Sequence, residues 1–436
     1  MPRRPDAALD GVHWAAHARE PHVPHAALDT DLDVDVAVVG GGYTGLSAAR
    51  EAARCGASVA LLEAGRIGCG ASGRNGGFVV PHFPGSTSVS DVVAAIGARK
   101  GEALAAEVTS GPDRVLATIQ RYQIEADVEQ NGWLQPAHSA RSLAKVRRVF
   151  EDWRAFGADV TWLDETAVGK MTGTATYRGG WTRPNGATVN PAALARGLGR
   201  AAANEGALLF EASPVDAIAR DGQGSVLSVG AHTVRARAVV LATNGYTEQL
   251  IGGEARALIP VQLFHTMTAP LDEAIRAKIL PTRACFTDIR RSGGFARYDR
   301  DGRLISGGLV FAPLAGRASF TRHAQRRMGQ IFPGLGTPPL EAWWTGWCAV
   351  TDNGLPRVQR LAPNVFSVAG YATRGVCMAQ IAGAALGRVV GGEGELADLP
   401  FEVHEGAAEI PLHTIKALGA KLIFPYYVAL DRVRLS

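Results

Sequence analysis

The sequence predicts an α/β protein, in which a parallel-sheet domain is interleaved along the chain with a mostly antiparallel α+β lobe. Three observations predict it. A short β-branched run, Asp35-Val36-Ala37-Val38-Val39, ends on Gly40-Gly41-Gly42 and is followed by a helical pattern and a second buried run closing on Glu63. Comparable apolar runs recur at 207–211, 238–242 and 365–369, with no repeat or low-complexity linker between them. The remaining segments alternate with period two around glycine turns, as in Gly293-Gly294-Phe295-Ala296-Arg297-Tyr298 before Asp301-Gly302 and Leu304-Ile305-Ser306.

The first run has the pattern of a strand buried on both faces. From Tyr43 to Arg54, Leu46, Ala49 and Ala53 recur at helical spacing, and Gly56 supplies the left-handed stop. Gly40, Gly42 and Gly45 therefore form GxGxxG inside a strand–turn–helix unit. The first glycine permits the turn, the second admits a pyrophosphate, and the third lets helix pack on strand. The helix start at Tyr43 and Thr44 offers free N–H groups and a partial positive charge to phosphate. Glu63, 23 residues after Gly40, is spaced for the carboxylate that holds a ribose hydroxyl, with Ala64 beside it. A bare GxGxxG would mark only a tight turn, whereas the whole unit points to a Rossmann-like dinucleotide site.

Composition narrows the rest. With 436 residues, 47% apolar and 20% charged, the chain can bury a large core in two lobes. Net charge is +4, and the basic residues are scattered except for Arg322 to Arg327, read as a solvated helix face. No basic stripe with interleaved aromatics argues for nucleic acid. Five cysteines without a CxxC pair indicate neither disulfide framework nor zinc site and fit a reducing cytoplasm. No apolar stretch reaches transmembrane length, and residues 1–35 lack a signal-peptide core. His13, His17, His22 and His25 in that leading segment read as part of a surface arm rather than a metal site, because Pro21 and Pro24 break any helix aligning them.

The fingerprint alone leaves NAD and FAD open. A second glycine-dense loop, Gly68-Cys69-Gly70-Ala71-Ser72-Gly73-Arg74-Asn75-Gly76-Gly77, lies where a longer cofactor would continue. Together with Val39 to Ser47, Ala242-Thr243-Asn244-Gly245-Tyr246, Thr351 to Pro356 and Ala369-Gly370-Tyr371, it resembles the D-amino acid oxidase superfamily of flavoproteins, especially its γ-glutamylputrescine oxidoreductase-like branch. The tail, Leu418 to Ala420, Tyr426-Tyr427 and Asp431-Arg432, is similar to that branch as well.

The resemblance implies a glutathione-reductase-like fold and a non-covalent FAD. Its FAD-binding domain would comprise 33–90, 190–252 and 343–395, and its substrate domain 91–189 and 253–342. Residues 1–32 would form the N-terminal arm, and 396–436 a C-terminal extension. It implies cofactor contacts at Gly70, Ala71, Ser72, Arg74, Asn75, Gly76 and Gly77, at Val215, at Thr243, Asn244 and Gly245, and at Gly370, Thr373, Arg374, Gly375 and Val376. The helix entered at Gly370–Val376 would aim N–H groups at the flavin's pyrimidine carbonyl. Where relatives bind flavin covalently through cysteine, Thr345 falls at that position here. Cys348 and Cys377 then read as packing residues, and Cys69 as the one near the cofactor.

The implied reaction is amine or amino acid C–N oxidation, with oxygen or another acceptor taking the electrons. Arg374 and Arg297 are the candidate fixed charges, and Tyr298 and Trp347 candidate walls of the reaction chamber. Trp343, Trp344 and Phe264 are further candidates. Arg374 departs from the family's Gly-Tyr-Ser-Gly-His-Gly pattern, where a histidine usually stands. An NAD(P)H-using flavin monooxygenase or halogenase, and a non-catalytic electron-transfer flavoprotein subunit, are the rival readings.

Overall fold

The computed structural model describes residues 9–222, 224–247, 250–290, 293–310 and 316–419. The opening run forms the strand Leu32–Val39, whose last four residues are buried. It pairs in parallel with Val59–Leu62 on one side and His232–Leu241 on the other. Leu208–Phe210 and Val365–Ala369 continue the parallel set outward at its two sides.

Both faces of this sheet are covered, which is why its strands carry no polar alternation. Val36 and Val38 join the core formed with Leu46, Ala49 and Leu386 from the helices Tyr43–Arg54 and Gly375–Val390. Ala37 and Val39 point the other way, onto Leu227 and Val229 of the antiparallel strand Gly224–Val229. The two helices pack with almost nothing between them. A Cβ at Gly383 would strike the carbonyl of Thr44, and one at Gly387 the carbonyl of Ala48. Close approach of these backbones fixes the start of the first helix relative to the start of the second.

The second sheet runs Leu340–Val350, Ile259–Pro270, Arg303–Leu309, Phe295–Tyr298, Cys285–Thr287, Trp133–Ala137, Gly179–Arg183, Thr161–Leu163. It is antiparallel except where Cys285–Thr287 meets Trp133–Ala137. The hairpin expected around Asp301-Gly302 is present, with Arg297 opposite Ile305 and Tyr298 opposite Leu304. The long strand Ile259–Pro270 sets His265 opposite Trp344 on one side and Gly307 on the other. The chain re-enters the parallel body at Asn190, whose Oδ1 accepts from the N–H groups of Ala192 and Ala193 at 3.1 Å and starts the helix Pro191–Asn204.

Several expectations need correcting. The leading segment is anchored rather than merely draped: Val12 and Trp14 are 1% and 2% exposed, and Trp14 Nε1 donates to the Asn75 carbonyl at 2.9 Å. His13 and His17 stack on each other, their centroids 3.9 Å apart. In the helix Arg317–Ile331, Arg322 and Arg326 are exposed but Arg327 is buried, because it lies on the face that carries Ala324 and Met328. Leu340–Val350 runs in the antiparallel sheet, although residues from 343 onward were expected in the other domain. Glu402–Glu405 adds a strand to the parallel body beside Arg357–Ala362. Of the tail motif, Ala420, Tyr426, Tyr427, Asp431 and Arg432 lie outside the described residues.

One buried carboxyl gives a pH-dependent stability. Glu254 is 2% exposed, its Oε2 has no hydrogen-bond partner among the described residues, and burial pushes its carboxyl up to about 8. A raised carboxyl favours the folded state below the unfolded value of 4.5, and that contribution is lost as pH rises through about 8. Urea denaturation between those limits should show stability falling with pH. Glu254→Gln should flatten that slope by up to roughly 3–5 kcal/mol.

Candidate functional site

A cleft of about 440 Å³ opens where the strands Leu32–Val39, Val59–Leu62 and His232–Leu241 end. The strand Ile259–Pro270 contributes its far wall. Ligands of open parallel sheets lie at such carboxyl ends.

The glycine turn forms one end. Gly40 has φ +107°, and a Cβ there would sit 3.0 Å from the Ala242 carbonyl oxygen. A Cβ on Gly45 would run into the Gly40 carbonyl, so the helix can lie this close only without a side chain. Among the described residues, the N–H groups of Gly42, Thr44 and Gly45 have no acceptor, whereas Tyr43 N–H donates to Ser72 Oγ at 2.9 Å. These are the unsatisfied donors of a helix start, and they are what a phosphate requires.

Glu63 holds the turn from behind. Its Oε2 accepts from Gly41 N–H at 2.6 Å, its Oε1 from Gly65 N–H at 2.8 Å, and burial raises its carboxyl above the ordinary value. In the second loop, Arg74 Nε donates to the Cys69 carbonyl at 2.8 Å, and Asn75 Oδ1 accepts from Gly77 N–H at 2.7 Å. At the other helix, Gly370 has φ +93° and donates its N–H to Asn244 Oδ1 at 3.2 Å. Tyr371 hydroxyl lies 2.8 Å from Thr44 Oγ1, linking the two helix starts.

The cleft gathers most of the residues singled out from sequence. Gly40, Gly42, Tyr43, Thr44, Glu63, Ala64, Gly70, Ala71, Ser72, Arg74, Asn75 and Gly76 line it. So do Val215, Thr243, Asn244, Trp347, Thr373, Arg374, Gly375 and Val376. Gly45, Gly77, Gly245 and Gly370 do not line it; the first three let neighbouring backbone approach, and Gly370 makes room for the Thr351 side chain.

Arg297 and Tyr298 are corrections, since neither lines the cleft. Arg297 Nη1 donates to the carbonyls of Gly77 and Val189 at 3.0 and 2.8 Å, and its guanidinium stacks over Trp14 at 4.8 Å. It braces the glycine loop from outside. Tyr298 donates its hydroxyl to the Ile279 carbonyl at 2.8 Å within a hydrophobic cluster. Period-two alternation could not tell which side of the sheet each faces. Trp343, Trp344 and Phe264 pack elsewhere, and Trp347 is the aromatic of that group on the cleft wall. Cys69 lines the cleft and Cys377 is buried packing, but Cys348, expected to pack, also reaches the wall, where burial pushes its thiol up to about 12.

Arg374 stands on the wall with its Nε buried and unpaired, and no carboxylate among the described residues pairs with it. Burial pushes its guanidinium down to about 10. Sequence reasoning missed Tyr246, Tyr371, His265, Asp288 and Arg290, all of which line the cleft. Both tyrosines stood inside motifs already singled out. His265 shares strand parity with Leu263, another lining residue, a signal that alternation could have supplied. Asp288 and Arg290, an ion pair to which the Tyr177 hydroxyl donates at 3.2 Å, had no local signature.

A family model described as DAO, FAD dependent oxidoreductase, matches residues 35–388. The chain is 29% identical over 427 residues to the gamma-glutamylputrescine oxidoreductase of Escherichia coli K12, covering 97% of this chain and 98% of that one. It is 26% identical over 360 residues to a glycine oxidase of Geobacillus kaustophilus, covering 80% and 90% of the two chains. The crystal structure of glycine oxidase from Geobacillus kaustophilus superposes with a TM-score of 0.72 at 23% identity, covering 85% of this chain and 98% of that one. L-proline dehydrogenase from P. horikoshii superposes with a TM-score of 0.68 at 19% identity, covering 86% and 96%.

The Glu63 carboxylate accepts from two backbone donors, so Glu63→Gln must turn an N–H toward one of them. Urea denaturation of the ligand-free protein should register a loss of about 1–3 kcal/mol.

Proposed function

Because the chain belongs to the FAD-dependent oxidoreductase family, we propose that its cleft holds FAD and that it oxidises a carbon–nitrogen bond of an amine or amino acid. The observation that carries the reading is the pair of helix starts, at Tyr43 and Gly375, converging on one cleft through the Thr44–Tyr371 contact. The residues present fit the cofactor: a Cβ at Gly42 would lie 2.9 Å from Ser72 Oγ, so the loop is closed to side chains where backbone donors are free.

In this reading the N–H groups of Gly42 and Thr44 hold the pyrophosphate and Glu63 the ribose. Val215 borders the adenine. Arg74 to Gly77 and Gly370 to Val376 hold the isoalloxazine. FAD supplies the acceptor for the hydride leaving the carbon beside nitrogen. Attachment is non-covalent, because Thr345 rather than a cysteine stands where relatives carry the attaching residue.

The chain's own contribution is electrostatic. Glu63 is engaged by the glycine turn and Asp288 by Arg290, so Arg374 and Arg74, neither paired with a carboxylate among the described residues, leave the wall with positive charge. A positive, largely apolar chamber favours the neutral amine over the ammonium, and the neutral form carries the lone pair the oxidation needs. Trp347 and Phe295 give the chamber apolar wall.

Oxygen or another acceptor closes the cycle. Substrates of the kind named for the relatives, γ-glutamylputrescine and glycine among them, are the first to try. Anaerobic mixing of the yellow protein with these, L-proline and putrescine should bleach the flavin with at least one. Bleaching by NADPH and by none of the amines would overturn the reading in favour of a monooxygenase. Acid precipitation should leave all flavin in the supernatant, and flavin retained in the pellet would contradict non-covalent binding.

A further inference from the structure

Two buried histidines lie near the cleft, and they differ in one respect. His82 is satisfied: its Nδ1 accepts from Trp153 Nε1 at 3.0 Å, and its Nε2 lies 3.2 Å from the Gly85 carbonyl. It packs among Trp133, Trp153 and Trp181 and is core. His265 is 7% exposed and lines the cleft, yet its Nδ1 is buried with no hydrogen-bond partner among the described residues. Leaving a polar group so buried without a partner costs about 1–3 kcal/mol, which a core position has no reason to bear.

The ring is held in place. It stacks on Trp344, with centroids 5.5 Å apart and planes at 24°, and meets Phe295 at 5.6 Å. A Cβ on Gly76 would lie 3.5 Å from its Cε1, so the glycine loop packs directly against it. On its strand it stands between Trp344 and Gly307 of the flanking strands. None of these neighbours is acidic. The charged group that acts on it is Arg297, and burial and that charge together push the imidazole down to about 4. The ring is neutral, and whichever tautomer it adopts, one nitrogen keeps a lone pair.

We propose that His265 accepts a hydrogen bond from the N–H of the substrate amine and orients its nitrogen lone pair toward the carbon–hydrogen bond that breaks. The proposal rests on the amine-oxidation reading. The ammonium's extra proton is left in solvent when the free base binds. The C–H bond then breaks, its electron pair leaves with hydrogen to the cofactor, and the nitrogen lone pair forms the C=N bond. Positive charge develops on nitrogen as this happens, so its N–H becomes a stronger donor. A neutral imidazole gains from that change, whereas an imidazolium would oppose it. The contact is therefore worth more in the transition state than in the bound substrate.

The test uses the FAD-loaded full chain, with His265→Phe and His265→Asn, and whichever of γ-glutamylputrescine, putrescine, glycine or L-proline bleaches the wild type fastest. His265→Phe should reduce its flavin roughly ten- to a hundredfold more slowly with that amine, and be reduced by dithionite at the wild-type rate. His265→Asn, which keeps an acceptor, should recover part of the loss. A second readout is independent of turnover: in protein labelled with 15N-histidine, the signal missing from His265→Asn should report a neutral ring between about pH 5 and 9. An unchanged amine rate in His265→Phe, or a ring that titrates near its ordinary value, would overturn the proposal. If no amine bleaches the wild type, the oxidation reading itself fails and takes this inference with it.

Discussion

At Gly40, Gly42 and Gly45 the backbone passes its neighbours too closely for side chains, and the N–H groups of Gly42 and Thr44 at the start of the next helix are left without acceptors among the described residues. Unsatisfied donors in a closed cleft are costly unless an anion meets them. The rest of the architecture preserves that arrangement. The parallel sheet fixes the strand that leads in, Glu63 ties down the turn from behind, and Gly383 and Gly387 let a second helix lie against the first. The second helix brings its own free N–H groups to the same cleft, and the Tyr371–Thr44 contact sets the distance between the two starts.

The antiparallel sheet serves the site differently. Its long strand presents Leu263 and His265 to the cleft while turning Phe264 into the packing behind. Arg297, on a neighbouring strand, grips the carbonyls of Gly77 and Val189 from outside. It thus supports the glycine loop, and its charge adds to the burial that keeps His265 neutral, without reaching the reaction chamber. Trp14 of the leading segment stacks on that arginine and bonds to Asn75, so residues far from the fingerprint in sequence help to shape it.

The parallel body was largely legible from sequence because its signals are local. Asp35 to Glu63 carries its strand, turn, helix and acid within one stretch, and Asn190-Pro191 announces its helix by cap chemistry alone. The substrate side was less legible because its side chains converge from separate strands. Alternation put Arg297 and Tyr298 on opposite faces of one strand: Tyr298 turns into the cluster with Ile279, while Arg297, on the face of Phe295, is held by the carbonyls of Gly77 and Val189 instead of lining the cleft. His265, Asp288 and Arg290 are ordinary residues in their own segments, and only the order of strands in the antiparallel sheet brings them to one cleft. Cys348 was read as packing because Thr345 rather than Cys348 falls where relatives attach flavin covalently, although it lines the cleft.

The central claim is that free main-chain donors at the glycine turn hold the phosphates of FAD. Calorimetric titration of FAD into ligand-free wild type and Gly42→Val protein tests it most directly, because the added side chain would occupy the space against Ser72 while leaving the sheet intact. The account predicts saturable binding to the wild type and none to a Gly42→Val protein whose circular dichroism is unchanged. Equal affinity in both proteins would contradict it.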